Sequence, residues 1–179
     1  MNFHKFLIAQ SILIAASSVV FPFYLLLIKN IGDSYSQFGW AYGLFTLTAA
    51  LTYPVIGQLG DRFGDKTMLL VYTLGMAIVM LIIPLLIHVW QVYVIQIVMG
   101  ILGAIQKNTE KAFLARNEKD SNTTGKRIGK YHFHVSLWSG IGIILTGYLI
   151  DFLTIASLFY LISFVYIVAS FVILKKGKE

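Results

Sequence analysis

Long apolar runs alternate with short polar segments along the whole chain. An apolar helix needs about 20 residues to cross the hydrocarbon core of a bilayer, and six runs approach or reach that length. We therefore expect an all-α membrane protein with six transmembrane helices. The predicted helices are Phe6–Ile28, Gln37–Leu59, Thr67–Ile87, Val89–Ile105, His134–Ile150 and Phe152–Leu174.

The longest polar segment separates the fourth predicted helix from the fifth. Residues 107–130 are rich in Asn, Ser, Thr, Gly and charged side chains, a composition typical of loops. We expect a loop here, with the fourth helix continuing past Lys107 and a short interfacial helix at Glu110–Arg116. Because the other polar segments are short, residues 1–179 are expected to form a single six-helix bundle.

The composition favours a membrane protein over a soluble one. Of the 179 residues, 58 % are hydrophobic and 12 % are charged, and the mean hydropathy is +0.78. A soluble domain of this size leaves too much surface exposed to hide so many apolar side chains. The first apolar run is too long for the hydrophobic region of a signal peptide, so we expect it to be retained as a helix.

The distribution of basic residues predicts the orientation of the bundle. Six spans place both termini on one side, and that side carries every Lys and Arg except Lys29. Loops rich in Lys and Arg face the cytoplasm, so we expect both termini and the 107–130 loop there, with the protein in the cell membrane. Because the net charge of +6 is spread over these loops, no nucleic-acid partner is expected.

The residues that an enzyme would need are not arranged for catalysis. The sequence has no cysteine, which excludes disulfides and thiolate metal sites, and it has no HExxH motif or pair of intramembrane aspartates. We therefore expect neither enzymatic activity nor a cofactor. Proton coupling is poorly supported, because Asp33, Glu110 and Asp151 lie at the ends of predicted helices rather than at their centres.

The predicted turn between the second and third helices is unusually charged. Its sequence, "GQLGDRFGDK" at residues 57–66, places four charges in six residues. Solvation alone would explain charged side chains in such a turn, and Gly60 and Gly64 would permit a sharp reversal of the chain.

The spacing within this turn is more specific than solvation requires. It resembles the signature loop of the major facilitator superfamily, which has a glycine, three residues, Asp-Arg, one residue, a glycine and two basic residues. The first of the two basic positions is Asp65 in this chain. The residues that carry the resemblance are Gly57, Asp61, Arg62, Gly64 and Lys66.

The resemblance extends over essentially the whole chain but covers half of the family's fold. That fold has two six-helix halves related by an axis along the membrane normal. Two copies of one six-helix chain can occupy both places without inverting either copy, so a homodimer is topologically allowed. The resemblance implies a secondary transporter of a small molecule in a lipid bilayer, and we expect it to work by alternating access as a homodimer of six-helix halves, with export of drug-like compounds as the expected direction. The alternative is a non-transporting fragment, or a half that needs a different partner half.

The resemblance also implies a conformational latch at the signature loop. In the family, the aspartate of this loop lies near the cytoplasmic end of a helix from the opposite half, which here would be the fifth helix of a second copy. We expect Asp61 to take this place and Arg62 or Lys66 to pair with Glu110 at the inner end of the fourth helix. A simple solvated turn is the alternative.

Helices one, two, four and five line the central pathway in the family. The candidate pathway residues in this chain are Gln10, Ser17, Gln96, Ser136 and Ser139. Small polar residues also serve helix packing in any membrane bundle, and both roles stay open for the serines. Gln96 favours the pathway, because it places two polar groups at membrane depth.

Several aromatic side chains are expected near the outer surface of the membrane. They favour an interfacial aromatic belt, and a binding site for lipophilic cations is the alternative. The residues concerned are Tyr24, Tyr35, Trp40, Tyr42, Trp90 and Tyr93.

Overall fold

The computed structural model of the chain describes residues 2–31, 34–116 and 124–175. Within these ranges the chain forms six α-helices, which confirms the six helical elements predicted from the apolar runs. They are α1 (Phe3–Ile31), α2 (Tyr35–Phe63), α3 (Asp65–Ile82), α4 (Val89–Arg116), α5 (Thr124–Leu149) and α6 (Ile155–Leu174).

Helix ends follow local sequence signals. The Ser34 hydroxyl accepts a hydrogen bond from the backbone N–H of Gln37 and caps α2, and Thr154 caps α6 in the same way. Such side chains satisfy backbone donors that lack partners in the first turn of a helix. Pro84 lies in the short 3₁₀ turn that follows α3, where its missing N–H stops the α-helical ladder.

Four of the six helices are long and apolar enough to cross a membrane by length and composition. These are α1, α3, α4 and α6, and the described parts of α2 and α5 do not meet the same standard. The lower hydropathy of α2 and α5 follows from the polar residues that they carry along their length. The membrane crossing of all six helices, and the cytoplasmic position of both termini, stay predictions.

The loop between α4 and α5 is shorter than the predicted range of residues 107–130. Helix α4 continues to Arg116 and α5 begins at Thr124, so both ends of the predicted loop are helical. The expected short helix at Glu110–Arg116 is the last part of α4 rather than a separate element. The boundary is wrong because polar and charged side chains by themselves do not end a helix, and residues 107–116 contain neither glycine nor proline.

The chain reverses between α2 and α3 at a single residue. Gly64 has φ +78° and separates the two helices, which confirms the expectation that it permits a sharp turn. The same expectation is wrong for Gly60, which lies inside α2. A Cβ atom built on Gly60 would lie 3.3 Å from Nδ2 of Asn108, so this glycine permits the close approach of α4.

The helices pack in a continuous series with α2 and α5 at its two ends. Helix α2 packs mainly on α4, α4 on α3, α3 on α6, α6 on α1, and α1 on α5. The centre of the series is held by buried aromatic groups, because the rings of Tyr72 and Tyr166 meet edge to face at 5.9 Å and their hydroxyls are 3.2 Å apart. Helices α4, α3, α6 and α1 therefore lie between α2 and α5 in this series.

Candidate functional site

A cluster of three charged residues joins the signature loop to the end of α4. The Arg116 guanidinium donates to Oδ1 of Asp61 over 2.5 Å and to Oδ1 of Asp65 over 2.7 Å. We call Asp61, Asp65 and Arg116 the charge cluster. No local pattern in the sequence points to Arg116, because Asp65 and Asp61 lie 51 and 55 positions before it.

The expected ion pair with Glu110 is not formed among the described residues. The Lys66 ammonium instead donates to the backbone carbonyl of Leu174 over 3.3 Å, which ties α3 to the end of α6. The Arg62 guanidinium lies over the ring of Phe63 at 5.4 Å. The role of the signature loop as a latch between two copies stays a prediction.

Glu110 belongs to a polar network in the interior of the bundle. The Gln106 amide nitrogen donates to Oε1 of Gln10 over 3.1 Å and to Oε2 of Glu110 over 3.3 Å. The Tyr131 hydroxyl is buried near the Glu110 carboxylate but has no hydrogen-bond partner in the described part of the chain. These hydrogen bonds connect α1 to α4, with Tyr131 of α5 beside them; the sequence had pointed to Gln10 and Glu110 as separate features.

Of the predicted pathway residues on α1 and α5, two serines take part in contacts within the bundle. The Ser139 hydroxyl donates to the Ser18 hydroxyl over 2.6 Å, which links α5 to α1. The Ser17 hydroxyl donates to the carbonyl of Ile14 in its own helix and also lines a cavity. Ser136 is exposed on α5, so the structure places it apart from the other two.

A cavity of about 240 Å³ lies among α1, α2, α3 and α4. Gln96 lines it and is 4 % exposed, and its role in a substrate pathway stays a prediction. The Tyr24 hydroxyl lies beside the Gln96 amide, yet no described group forms a hydrogen bond of good geometry with it. The full lining is Ser17, Val20, Tyr24, Phe38, Tyr42, Phe45, Tyr72, Met76, Gln96, Met99, Gly103, Gln106 and Lys107. We call this space the aromatic cavity.

The predicted outer aromatic cluster divides into two groups in the structure. Tyr24 and Tyr42 line the aromatic cavity, with Tyr24 buried and Tyr42 47 % exposed, whereas Tyr35, Trp40 and Trp90 are exposed away from it. Exposed aromatic side chains at the helix ends fit an interfacial belt. The sequence could not separate the groups, because the division depends on which helix faces turn towards one another.

Apolar helices, an aromatic cavity among α1 to α4 and a charged loop between α2 and α3 fit a membrane protein of the transporter class. The chain belongs to the Major Facilitator Superfamily, whose profile matches residues 6–178. The apolar helices and the family membership together make it an integral membrane protein.

Two kinds of relative are similar to this chain. The Bacillus subtilis (strain 168) protein named "Uncharacterized MFS-type transporter YitZ" is 46 % identical over 162 residues, which are 90 % of this chain and 98 % of that protein. The Dickeya zeae (strain Ech586) protein named "Multidrug resistance protein MdtG" is 31 % identical over 152 residues. The Proteus mirabilis (strain HI4320) protein of the same name is 30 % identical over 152 residues. This chain spans 37 % of the length of each of the latter two.

Proposed function

We propose that this chain is a secondary transporter of a small molecule and works by alternating access as a homodimer. Each copy contributes six membrane-spanning helices, and both termini face the cytoplasm of the cell whose plasma membrane holds the protein. The chain acts as a transporter and not as an enzyme. Export of drug-like compounds is the proposed direction, supported by the printed names of the longer relatives.

The observation that carries the homodimer is the exposed surface that each of the two end helices presents. Helix α5 packs mainly on α1 and α2 mainly on α4, so each has a large surface without a neighbour in its own chain. That surface includes Ser136 on α5 and Thr46 on α2, whose hydroxyl donates to the carbonyl of Tyr42 within the same helix. Polar groups facing lipid are costly. A second copy placed against α2 and α5 would shield these polar groups from the lipid.

The symmetry of such a pair agrees with the family's fold. The two halves of that fold are parallel repeats about an axis along the membrane normal. Two identical chains related by a twofold rotation would reproduce this arrangement. A relative matched over 98 % of its own length supports a half-size transporter.

The alternative is a chain that functions only with a different partner half, or a fragment of a longer transporter. The longer relatives favour this alternative, because the chain covers 37 % of their length. Native mass spectrometry of the purified chain in nanodiscs distinguishes the two proposals. The homodimer requires a mass of twice 20.1 kDa for the protein component, and proteoliposomes made from this chain alone must transport. A monomer that is inactive alone and active only with a second, different half would overturn the homodimer.

A further inference from the structure

A groove runs along α1 between α5 and α6. Both of these helices pack on α1 but make little contact with each other, and the space between them measures about 590 Å³. We call this space the lateral groove. Among the described residues, its lining shares no member with the aromatic cavity or with the candidate pathway residues. The lateral groove is therefore a separate feature of the bundle.

The lateral groove opens on a different face of α5 from the one proposed to meet a second copy. His134 and Trp138 line the groove, whereas Ser136 lies between them in sequence on the exposed surface of α5. Successive residues of an α-helix are about 100° apart around its axis, so Ser136 points away from both of these side chains. A homodimer formed through Ser136 leaves the lateral groove facing lipid.

Most of the lateral groove is apolar. Its lining includes Ile8 of α1, Leu145 of α5 and Leu161 of α6, which are all exposed. Between His4 and Val19 the groove follows α1 for fifteen residues, roughly 22 Å along the helix, whereas the hydrocarbon of one leaflet is about 15 Å thick. One acyl chain of a lipid therefore fits along this length and covers the apolar side chains.

The hydroxyl groups deeper in the lining are satisfied within their own helices. The Ser11 hydroxyl donates to the carbonyl of Leu7 over 2.8 Å, and the Thr146 hydroxyl donates to the carbonyl of Gly142 over 2.8 Å. A hydrocarbon chain beside them leaves no hydrogen bond unmade. This part of the groove suits an apolar occupant despite its two polar residues.

Positive charge and polar nitrogen atoms lie at one end of the groove. His4, Lys130 and His134 line that end, and the described lining contains no acidic residue. Lys130 is exposed and has no ion-pair partner in the described part of the chain. Nδ1 of His134 donates to the carbonyl of Lys130 over 2.8 Å, so the neutral ring presents Nε2 as an acceptor. This end suits an anionic group that also carries a hydroxyl.

Trp138 lies between the charged end and the apolar part. It is eight residues beyond Lys130 on α5, roughly 12 Å along the helix, and its ring is exposed in the groove. Tryptophan is enriched at the level of lipid headgroups, and long Lys side chains extend past that level towards water. The order of these residues along α5 matches the order of headgroup and acyl chain in a lipid.

We propose that the lateral groove binds one anionic glycerophospholipid, with an acyl chain along α1 and the phosphate beside Lys130. A headgroup hydroxyl, such as those of phosphatidylglycerol, donates to Nε2 of His134. The lipid belongs to the cytoplasmic leaflet, and this assignment rests on the proposed orientation of the chain. The bound lipid fills the space between α5 and α6 and holds both helices against α1.

The test measures quenching of Trp138 fluorescence by lipids with brominated acyl chains. The full chain carries Trp40→Phe and Trp90→Phe, which leave Trp138 as the single tryptophan of the three. It is placed in phosphatidylcholine nanodiscs that contain a small fraction of brominated lipid. Half-maximal quenching should need about fivefold less brominated phosphatidylglycerol than brominated phosphatidylcholine, the preference expected from one lysine near an anionic headgroup.

Variants of Lys130 test the site itself. Lys130→Gln should remove most of the fivefold preference, and Lys130→Arg should keep it because the positive charge is retained. The control is Lys111→Gln, which removes an exposed lysine of α4 outside the groove and should leave the preference unchanged.

Two results would overturn the proposal. Equal quenching by the two brominated lipids would show that only unselected surrounding lipid reaches Trp138. Equal losses of preference in Lys130→Gln and Lys111→Gln would show a general charge effect and no site. The proposed function fails separately, because the quenching experiment requires neither transport nor dimerisation: a chain that prefers phosphatidylglycerol but does not transport retains the lipid site and loses the function.

Discussion

Arg116 donates a hydrogen bond from Nη2 to Oδ1 of Asp61 over 2.5 Å, which joins the end of α4 to the end of α2. The same guanidinium reaches Asp65 at the start of α3. The two carboxylates differ in environment, because the Asp61 side chain is 77 % exposed and the Asp65 side chain 16 % exposed. Solvent screens an exposed ion pair more strongly than a shielded one.

The first prediction concerns stability. Asp65→Asn should lower the melting temperature of the purified protein more than Asp61→Asn, because the shielded pair is less screened and Asp65 also lies in the first turn of α3. The loss for Asp65→Asn should be about 1 kcal/mol. Thermal unfolding in nanodiscs measures it, with exposed Asp151→Asn as the control. Equal shifts for Asp61→Asn and Asp65→Asn would show that exposure does not set the strength of these pairs.

The second prediction concerns the proposed latch. Asp61→Asn should leave membrane insertion intact and reduce the transport rate by about fivefold, as expected if an interaction of ~1 kcal/mol holds one conformation. Proteoliposome transport at matched protein density is the measurement, again with Asp151→Asn as the control. A wild-type transport rate in the Asp61→Asn variant would contradict the latch hypothesis and support a simple solvated turn.

The third prediction concerns Gln96 in the aromatic cavity. Gln96→Leu should weaken substrate binding by about fivefold, because it removes a buried amide that can bond to a ligand. The matched control is Gln58→Leu, since Gln58 is exposed on α2 and does not line the cavity. Unchanged affinity in Gln96→Leu would make Gln96 a helix-packing residue.

The fourth prediction uses two glycines of the signature loop. Gly64→Ala should destabilise the protein by about 1 kcal/mol, because Gly64 has a positive φ that side chains with a Cβ atom rarely adopt. Gly57→Ala should be neutral or stabilising, since Gly57 is helical and a Cβ atom there meets nothing within 4 Å. Chemical or thermal unfolding of the two variants side by side gives the comparison. Equal destabilisation by Gly57→Ala and Gly64→Ala would show that the positive φ of Gly64 does not cause the loss of stability.

The fifth prediction concerns the contact between α2 and α4. A Cβ atom on Gly100 would lie 2.5 Å from the backbone oxygen of Phe45, so Gly100→Ala must push α2 and α4 apart. Overpacking of this kind costs about 1–3 kcal/mol, and the melting temperature should fall accordingly. Gly43→Ala, where the added atom meets nothing within 4 Å, should behave as the parent protein does. If both variants melt alike, the close approach of the two helices is not rigid.

The apolar runs determined the number and order of the helices, because a helix that crosses lipid must present apolar side chains over about 20 residues. The spacing of the signature loop determined the family, and the matching profile confirms it. Gly64 was also predictable, since a short reversal between two helices needs a residue that accepts positive φ. Each of these properties depends on a local stretch of chain.

The tertiary structure alone decided the partners of the polar groups. Arg116 meets Asp61 and Asp65 because α4 extends three turns beyond its predicted end at Ile105. Glu110 meets Gln106 rather than Lys66 because both lie on one face of α4, four residues apart. The aromatic cavity arises from four helices whose rotations no local pattern specifies. Side chains distant in sequence come together through helix packing, and that packing is a property of the whole bundle.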